Sequence, residues 1–543
     1  MNGLPSAKIF ARPPSPAIAA RRGEVVRGVI PVLFAFLAGI VSACAFEPFS
    51  VGPLMVFGFF VLLRLLRGAA TMRSALGLGW GFGFGQFVLG LNWIATAFTF
   101  QAAMPASLGW VAVVLLSAYL AVYPAMAAGL AWRYGVGRLK APAAEGGWNA
   151  PEGRSAPLPL GLLLAAAWVV TEWLRGTVFT GFAWNPVGVT LLTTPAAQLS
   201  PLIGTYGLSA LVVLMGTMFV LAFDTAHAAR RQGAWLLLVL AAAFGTGWLR
   251  DTPAPSGTRL ARIVQPNIGQ QDKHDPAFDA ETYRRLERLT GARTARPRLV
   301  LWPEAAVPDF LEDEPAPRRA LAHLLGLRDV LLTGGVAIER DRDGTPLAGR
   351  NSLFVLTPDA RLRGRYDKAH LVPYGEYLPA RPILSAIGLS RLVPGDLDFW
   401  PGPGARTLDV PGFGRMGVQI CYEIVFSGHV IDRRNRPDFL FNPSNDAWFG
   451  RWGPPQHLAQ ARMRAVEEGL PVLRSTPTGI SAVVDARGHL LASLPWRQQG
   501  RIDALIPGAL PPTLFARFGN LLSFAFAALL VAAAWFARQR ERG

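Results

Sequence analysis

Seven apolar runs, and an eighth near the C-terminus, limit what this chain can fold into more than any motif does. They lie at approximately 28–46, 50–66, 75–98, 107–132, 158–175, 201–223, 233–250 and 518–537. A helix needs about 20 mostly apolar residues to cross a bilayer, and each run is near that length. Apolar residues make up 51% of the 543 and charged residues only 16%, a balance unlike that of a water-soluble chain of this size. The expected architecture is a polytopic α-helical membrane bundle of about eight spans. In the third run, glycines at 77, 79, 81, 83 and 85 lack phosphate-loop spacing; in lipid such residues let helices approach closely.

The first run is not read as a cleaved leader. Val41-Ser42-Ala43-Cys44 resembles a lipoprotein processing site, but the next apolar run starts within a few residues and leaves no soluble mature N-terminus.

The formal charge is +17, of which residues 251–510 carry about +4, so +13 falls on the apolar part of the chain. That excess sits in short connections. Arg21, Arg22 and Arg27 precede the first run, and Arg64, Arg67 and Arg73 follow the second. Arg133, Arg138 and Lys140 follow the fourth, Arg230 and Arg231 the sixth, and Arg538, Arg540 and Arg542 the eighth. The alternate connections are nearly free of Lys and Arg, Arg175 excepted. Basic residues collect on the cytoplasmic side of a membrane, so both termini are expected there and residues 251–517 outside. Charge spread in this way argues against a nucleic-acid partner.

Residues 258–509 follow another pattern. Short apolar or alternating runs at Arg259–Ile268, Arg298–Trp302, Val330–Ile338, Ser352–Leu356, Met416–Ile420, Phe439–Phe441 and Ala482–Val484 read as strands. Helix-like stretches at 278–290, 316–326 and 455–468 fall between several of them. Strands alternating with helices predict an α/β domain with covered sheets. Three parts follow: a membrane domain over 1–257 with seven spans, an extracytoplasmic α/β domain over 258–509, and a last span with a cytoplasmic tail over 510–543.

Within the α/β part Cys421 stands alone; the other cysteine, Cys44, lies in an apolar segment and is not expected to pair with it. A cysteine thiol has an ordinary pKa of about 8.5 and needs help to become a nucleophile. A carboxylate can take its proton, and an ammonium can steady the thiolate and later an oxyanion. Glu304 and Lys368, each near the end of a strand-like run, supply one of each. Glu376 and Glu423 are further carboxylates close by in sequence. Arginine outnumbers lysine 49 to 4, so a lysine at position 368 suggests a need for a compact, tunable donor. Taken singly each residue has a dull reading, as core, cap or surface; three reactive types at strand ends in one domain favour chemistry.

Glu, Lys and Cys in this order, in the contexts WPE, YDK and CYE, resemble the nitrilase superfamily. Fused to eight spans, with the domain between the seventh and eighth, the chain resembles the apolipoprotein N-acyltransferase family over nearly its whole length. The motifs are Gln265-x-Asn267-Ile268, WPEAA at 302–306, Asn351-Ser352, YDKAHLVPYGEYLP at 366–379, ICYEI at 420–424, SNDAWFG at 444–450, QHL at 456–458 and RAVE at 464–467. Asn92-Trp93 and Thr171-Glu172-Trp173-Leu174-Arg175 agree in the membrane part.

The resemblance implies an α-β-β-α sandwich and an acyltransferase. Cys421 would take an acyl chain from a phospholipid as a thioester, with Glu304 as general base and then acid and Lys368 steadying the oxyanion. Glu376 and Asn351 would support that site, and Tyr422 and Glu423 would shape the pocket. The acceptor would be the α-amine of a diacylglyceryl-cysteine at an apolipoprotein's N-terminus. The setting would be the bacterial cytoplasmic (inner) membrane, with the catalytic domain periplasmic and the chain a monomer. No cofactor is implied, and the seven histidines form no HExxH motif.

Two positions depart from the family pattern: His274 stands where a tryptophan is common, and Thr476-Pro477 where Thr-Asn is common. The stretch 379–403, with Ile383, Leu384, Ile387, Leu389, Leu392, Phe399 and Trp400, is apolar for a loop; it either packs on its own domain or forms a mobile arm dipping into lipid. Phe399, Trp400, Trp448 and Phe449 are candidate lipid contacts. Glu172 near the end of the fifth run is costly unless paired, and Arg175 at i+3 is its expected partner. Two other functions compete. A membrane-tethered amidase would use the same three residues, though one span would suffice as its tether. A transporter would need a charged pathway that the spans lack.

Overall fold

The computed structural model describes residues 16–100, 105–136, 157–273, 276–386 and 398–542. Its first part is helical: α1 (Pro16–Ala43), α2 (Pro53–Gly68), α3 (Met72–Gly90), α4 (Ile94–Ala97), α5 (Leu108–Leu120), α6 (Val122–Gly135), α7 (Pro157–Thr177), α8 (Ser200–Ala222) and α9 (His227–Arg250). In lipid only an internally hydrogen-bonded backbone is tolerated, which is why these runs are helices. Among the described residues five stretches are long and apolar enough to cross a membrane: Leu108–Gly135, Pro157–Thr177, Pro195–Ala222, His227–Arg250 and Leu521–Arg540. Met72–Gly90 and Ile94–Phe100 together make a sixth, bent by 47°. Against the expected eight, the first two runs appear as the shorter apolar Val29–Ala43 and the 16-residue α2. At 1.5 Å per residue α2 spans only about 24 Å of a hydrocarbon core about 30 Å thick.

The glycines of α3 serve close packing on two sides. A Cβ at Gly85 would overlap the Phe36 carbonyl of α1, and one at Gly79 would overlap Pro124 of α6. The arginine-bearing ends of the helices lie together. Arg67, after α2, pairs with Asp224, after α8, at 2.8 Å. Arg538 Nη2 donates to the Gly135 carbonyl at the end of α6, at 3.2 Å.

Among its described residues the second part holds twelve strands: β1 (Leu260–Gln265), β2 (Arg298–Leu301), β3 (Val330–Arg340), β4 (Pro346–Leu356), β5 (Leu362–Asp367), β6 (Thr407–Val410), β7 (Gly414–Val418), β8 (Phe439–Pro443), β9 (Val472–Ser475), β10 (Ser481–Val484), β11 (Leu490–Leu494) and β12 (Gly500–Leu505). They form two six-stranded sheets, ordered β12-β1-β2-β3-β4-β5 and β11-β10-β9-β8-β7-β6. β1, β2 and β3 run parallel, as do β7, β8 and β9, and antiparallel strands flank each trio. Helices α10 (Asp279–Thr290), α11 (Pro315–Ala322), α12 (Arg381–Ala386) and α13 (Gly453–Glu468) lie among the strands, and α14 (Leu514–Phe518) and α15 (Leu521–Arg542) return to the bundle.

Strand alternation builds the layers. Leu299 and Leu301 of β2 meet Phe439 and Phe441 of β8 in the core between the sheets. Val300 packs on the other face with Leu286 of α10 and Leu321 of α11. Leu440 of β8 packs outward with Leu458, Ala461 and Ala465 of α13. The result is the expected α-β-β-α sandwich. Beyond the seven runs legible in the sequence, five strands appear. Four of these (β5, β6, β11 and β12) are sheet edges with largely half-exposed or exposed patterns; β5, β6 and β12 have no apolar run to mark them, whereas β11, Leu490–Leu494, is an apolar run left exposed at its edge.

The two parts share one core. Phe87, Leu91, Trp93, Tyr123 and Trp184 of the membrane domain are buried in the same cluster as Tyr422, Ile424, Phe426 and Leu458 of the sandwich. α13 lies in the seam, covered by β8 and β9 on one side and by the bundle on the other. Gln456 accepts from Trp184 Nε1 at 2.8 Å, and Gln460 from the Asn185 N–H at 3.2 Å.

Candidate active site

Cys421 sits three residues past the end of β7, on a turn with φ +51°. A left-handed conformation costs an L-residue about 1–2 kcal/mol, so the turn must be held. The Cys421 carbonyl accepts from His457 Nε2 at 3.0 Å and from Asn442 Nδ2 at 3.4 Å. Behind it, Arg474 Nη2 grips both oxygens of Asp446 at 2.6 and 2.8 Å and lies 3.0 Å from His457 Nδ1. All these side chains are buried. Burial, then the Arg474 charge, pulls the His457 pKa down, which keeps the ring neutral with Nε2 as donor. Ligand atoms of Cys421, Asp446 and His457 lie within 4.8 Å of one another. The Arg474 guanidinium already serves Asp446 and His457, however, so this is an ion-paired brace and a poor cation site.

Glu423 ties this turn to the loop after β5. Its Oε2 accepts from the Ile420 N–H at 2.7 Å. Its Oε1 accepts from Tyr366 Oη at 2.8 Å, the Ala369 N–H at 2.7 Å and the His370 N–H at 3.2 Å. Burial pushes the Glu423 pKa up to about 7 despite those donors. The strut sets where Lys368, one residue before Ala369, stands relative to Cys421.

Glu304 follows β2, and Asn351 lies on β4. Asn351 Nδ2 donates to Glu304 Oε1 at 2.7 Å and to Glu376 Oε1 at 2.8 Å, clamping the two carboxylates. Lys368 Nζ lies 3.0 Å from Glu376 Oε2 and 3.5 Å from Glu304 Oε1. The second Glu304 oxygen accepts no conventional hydrogen bond among the described residues. The neighbouring Cys421 thiol helps to hold the Glu304 carboxyl low. Thus the structure brings Glu304, Lys368, Cys421, Glu376, Asn351 and Glu423 into one buried cluster.

Protonation states follow from this packing. Burial raises the Cys421 thiol pKa well above its ordinary value, and the Glu304 charge adds to the rise. Burial would raise Glu304 too, but Lys368, then Lys273 and Asn351, more than offset it and hold the carboxyl below its usual range. Burial draws Lys368 down, while the Glu376 and Glu304 carboxylates overcome this and keep it charged. The resting site is a neutral thiol beside an ionised base and a fixed ammonium, an arrangement suited to general-base activation of the thiol.

The expected lipid contacts separate into two groups. Phe449 stacks edge-on with Trp93 at 4.7 Å and lies 5.6 Å from Trp184, while Trp448 meets Phe100 at 5.9 Å. Both therefore face the membrane domain. Tyr422 does likewise, lying parallel to Trp184 and donating to the Gly181 carbonyl at 3.4 Å. Phe399 and Trp400 are docked on β4 instead. The Trp400 N–H donates to the Gly349 carbonyl at 2.9 Å, the Gly349 N–H to the Asp398 carbonyl at 3.1 Å, and the Phe399 N–H to the Glu376 carbonyl at 3.3 Å. The middle of the 379–403 stretch, with Ile387, Leu389 and Leu392, lies outside the described residues, as does His274. Pro477 has a framework role: its carbonyl accepts from the Asn267 N–H at 2.8 Å, tying β9 to the end of β1. Glu172 and Arg175 stand 3.9 Å apart, and both also bond to the 181–187 loop, with Ser209 of α8 donating to Glu172 as well. Glu172 accepts from the Val187 N–H at 2.8 Å, and Arg175 donates to the Trp184 carbonyl at 2.8 Å. The pair shapes the seat of the sandwich.

Sequence reasoning missed Lys273, whose Nζ donates to the Glu304 carbonyl at 3.1 Å. The scarcity of lysine that drew attention to Lys368 applies equally to it. It also passed over Asn445, Asp446 and His457, although all three lie in motifs already noted.

Residues 260–510 match the carbon-nitrogen hydrolase family, and residues 38–218 match the apolipoprotein N-acyltransferase N-terminal domain. The sandwich is thus a carbon-nitrogen hydrolase domain of the nitrilase superfamily, and the helices fused to it belong to a membrane domain. The apolipoprotein N-acyltransferase of Bradyrhizobium diazoefficiens is 36% identical over 528 residues, covering 92% of this chain and 93% of that protein. Those of Rhodopseudomonas palustris (35% identical, 92% and 94% covered) and Allorhizobium ampelinum (34%, 96% and 98%) are similarly close. The chain belongs to the apolipoprotein N-acyltransferase family.

Proposed function

We propose that this protein moves an acyl chain from a phospholipid to the α-amine of the N-terminal diacylglyceryl-cysteine of an apolipoprotein, the last step of lipoprotein maturation. Glu304 takes the thiol proton as Cys421 attacks the phospholipid ester carbonyl. Lys368 steadies the oxyanion, and the protonated Glu304 returns the proton to the departing lysophospholipid oxygen. The acyl group remains on Cys421 as a thioester. In the second half Glu304 takes a proton from the acceptor amine, the amine attacks the thioester, and the thiolate leaves and is reprotonated. One thiol holding the acyl group between two bulky lipid substrates is ping-pong logic.

The observation that carries this reading is the seam. Tyr422, next to the nucleophile, packs against Trp184 and reaches Gly181 of the membrane domain, so the thiol stands beside the bundle that would deliver lipid. Trp448 and Phe449 border the same face. The protein is read as a multi-pass monomer of the bacterial inner membrane, with residues 258–509 periplasmic and no nucleic-acid partner.

The test is intact mass and lipid analysis of the purified protein. Phospholipid alone should yield lysophospholipid and an acyl adduct on Cys421. A diacylglyceryl-cysteine peptide should then discharge the adduct into an N-acylated product. Steady release of free fatty acid, with no peptide product, would replace this reading with a tethered hydrolase.

A further inference from the structure

Two of the four lysines in this arginine-rich chain converge on Glu304. Lys368 arrives from the end of β5 and Lys273 from the loop between β1 and α10. Lys273 Nζ donates to the Glu304 carbonyl at 3.1 Å. With the Asn445 amide oriented to satisfy its neighbours, Asn445 Oδ1 accepts from the same Nζ at 3.3 Å and from Trp448 Nε1 at 3.2 Å. The Asn445 N–H in turn faces the Cys421 sulfur as a hydrogen-bond donor. Lys273 therefore touches the backbone of Glu304 and the side chain of Asn445, and beyond helping to hold the Glu304 carboxyl low it has no step in the reaction proposed above.

We propose that Lys273 is a positioning residue of this site, fixing the Glu304 and Asn445 walls and supplying a second positive charge to the Cys421–Glu304 couple. The proposal rests on the reading of Cys421 as nucleophile. The charged groups around Lys273 are Glu304 after β2, Cys421 after β7, Lys368 and Glu376 after β5, Asp446 after β8 with His457 and Arg474 behind it, and Asp272 in its own loop. Burial pulls the Lys273 pKa down to about 8, with Glu304 and Cys421 opposing the fall. The second charge is thus present at neutral pH and lost as pH rises through about 8. While present it favours any state in which negative charge develops on sulfur, so the neutral-pH thiolate fraction should depend on it.

Alkylation of Cys421 by iodoacetamide reads that fraction without requiring turnover. The full-length protein would carry Cys44→Ala throughout, so that a single thiol reports. Lys273→Met should slow alkylation about tenfold at pH 7, and the deficit should shrink toward unity above pH 9, where Lys273 has lost its proton in the parent protein as well. Lys273→Arg keeps a charge and should stay near the parent rate at pH 7. Equal rates for Lys273→Met and the parent at pH 7 would overturn the proposal. So would a deficit of the same size at every pH, which marks a merely structural loss. Phospholipid loading of the parent protein is scored separately; its failure would sink the proposed function and leave the alkylation result to stand on its own.

Discussion

At the scale of single residues, the proposed mechanism gives Cys421 and its neighbours separable roles. Cys421→Ser should lower lysophospholipid release by about a thousandfold or more, because a serine hydroxyl beside Glu304 is a far weaker nucleophile than the thiol. Cys44→Ala should leave release unchanged, since Cys44 lies in the turn after α1. Retained activity in Cys421→Ser would end the thioester route. Asn351 acts through others: its one amide nitrogen holds Glu304 and Glu376 at 2.7 and 2.8 Å. Asn351→Ala frees both carboxylates to move, and misplacement of a base by about 1 Å can cost about a hundredfold. Single-turnover loading should fall by about that much while thermal unfolding changes little. A large drop in melting temperature with normal loading in the folded fraction would assign Asn351 to the scaffold.

At the scale of elements, α13 is the hinge of the design. Its sequence carries arginine, glutamine and glutamate throughout, yet nearly every residue is buried. Part of the reason is the break in α8 at Gly204, where φ is +71° and the Thr205 N–H turns to α13. Glu467 of α13 accepts from the Thr205 N–H at 2.7 Å and from its hydroxyl at 2.6 Å. Arg464 pairs with Glu467 at 2.9 Å and donates to the Thr205 hydroxyl at 2.6 Å. Removing one partner of a buried pair strands the other charge, at a cost of about 3–5 kcal/mol. Glu467→Ala should therefore lower the melting temperature in detergent clearly, and Glu467→Gln, which keeps an acceptor for Thr205, should lower it less. Equal melting of all three proteins would show that the pair contributes nothing.

At the scale of the molecule, two domains behave as one body because a single aromatic core runs between them. Trp93, Trp184 and Phe449 belong to that core as much as Tyr422 does. The arginine-bearing connections gather at one end, through Arg67 with Asp224 and Arg538 with Gly135. If that end is cytoplasmic, reporter fusions at 255 and 510 should score extracytoplasmic and one after 538 cytoplasmic. A cytoplasmic score at 255 would invert the topology and, with it, the location proposed for the active site.

The chain's order of apolar runs and its alternating strand-like runs were enough to specify a bundle with an α/β domain between its last helices, while the sandwich and a Cys-based chemistry came from the family resemblance that the contexts of Glu304, Lys368 and Cys421 carry. These are local properties: hydropathy over one span, period-2 alternation over one strand, a reactive residue at a strand end. The edge strands β5, β6 and β12 stayed hidden because their half-exposed sequences carry no apolar run. Tertiary structure alone decided that α13, polar by composition, is buried, since its partners lie about 260 residues away in α8. It alone brought Lys273 to Glu304, and it alone built the brace of Asp446, His457 and Arg474 beneath Cys421. Such contacts join residues from different strands and domains, and no window along the chain contains both partners.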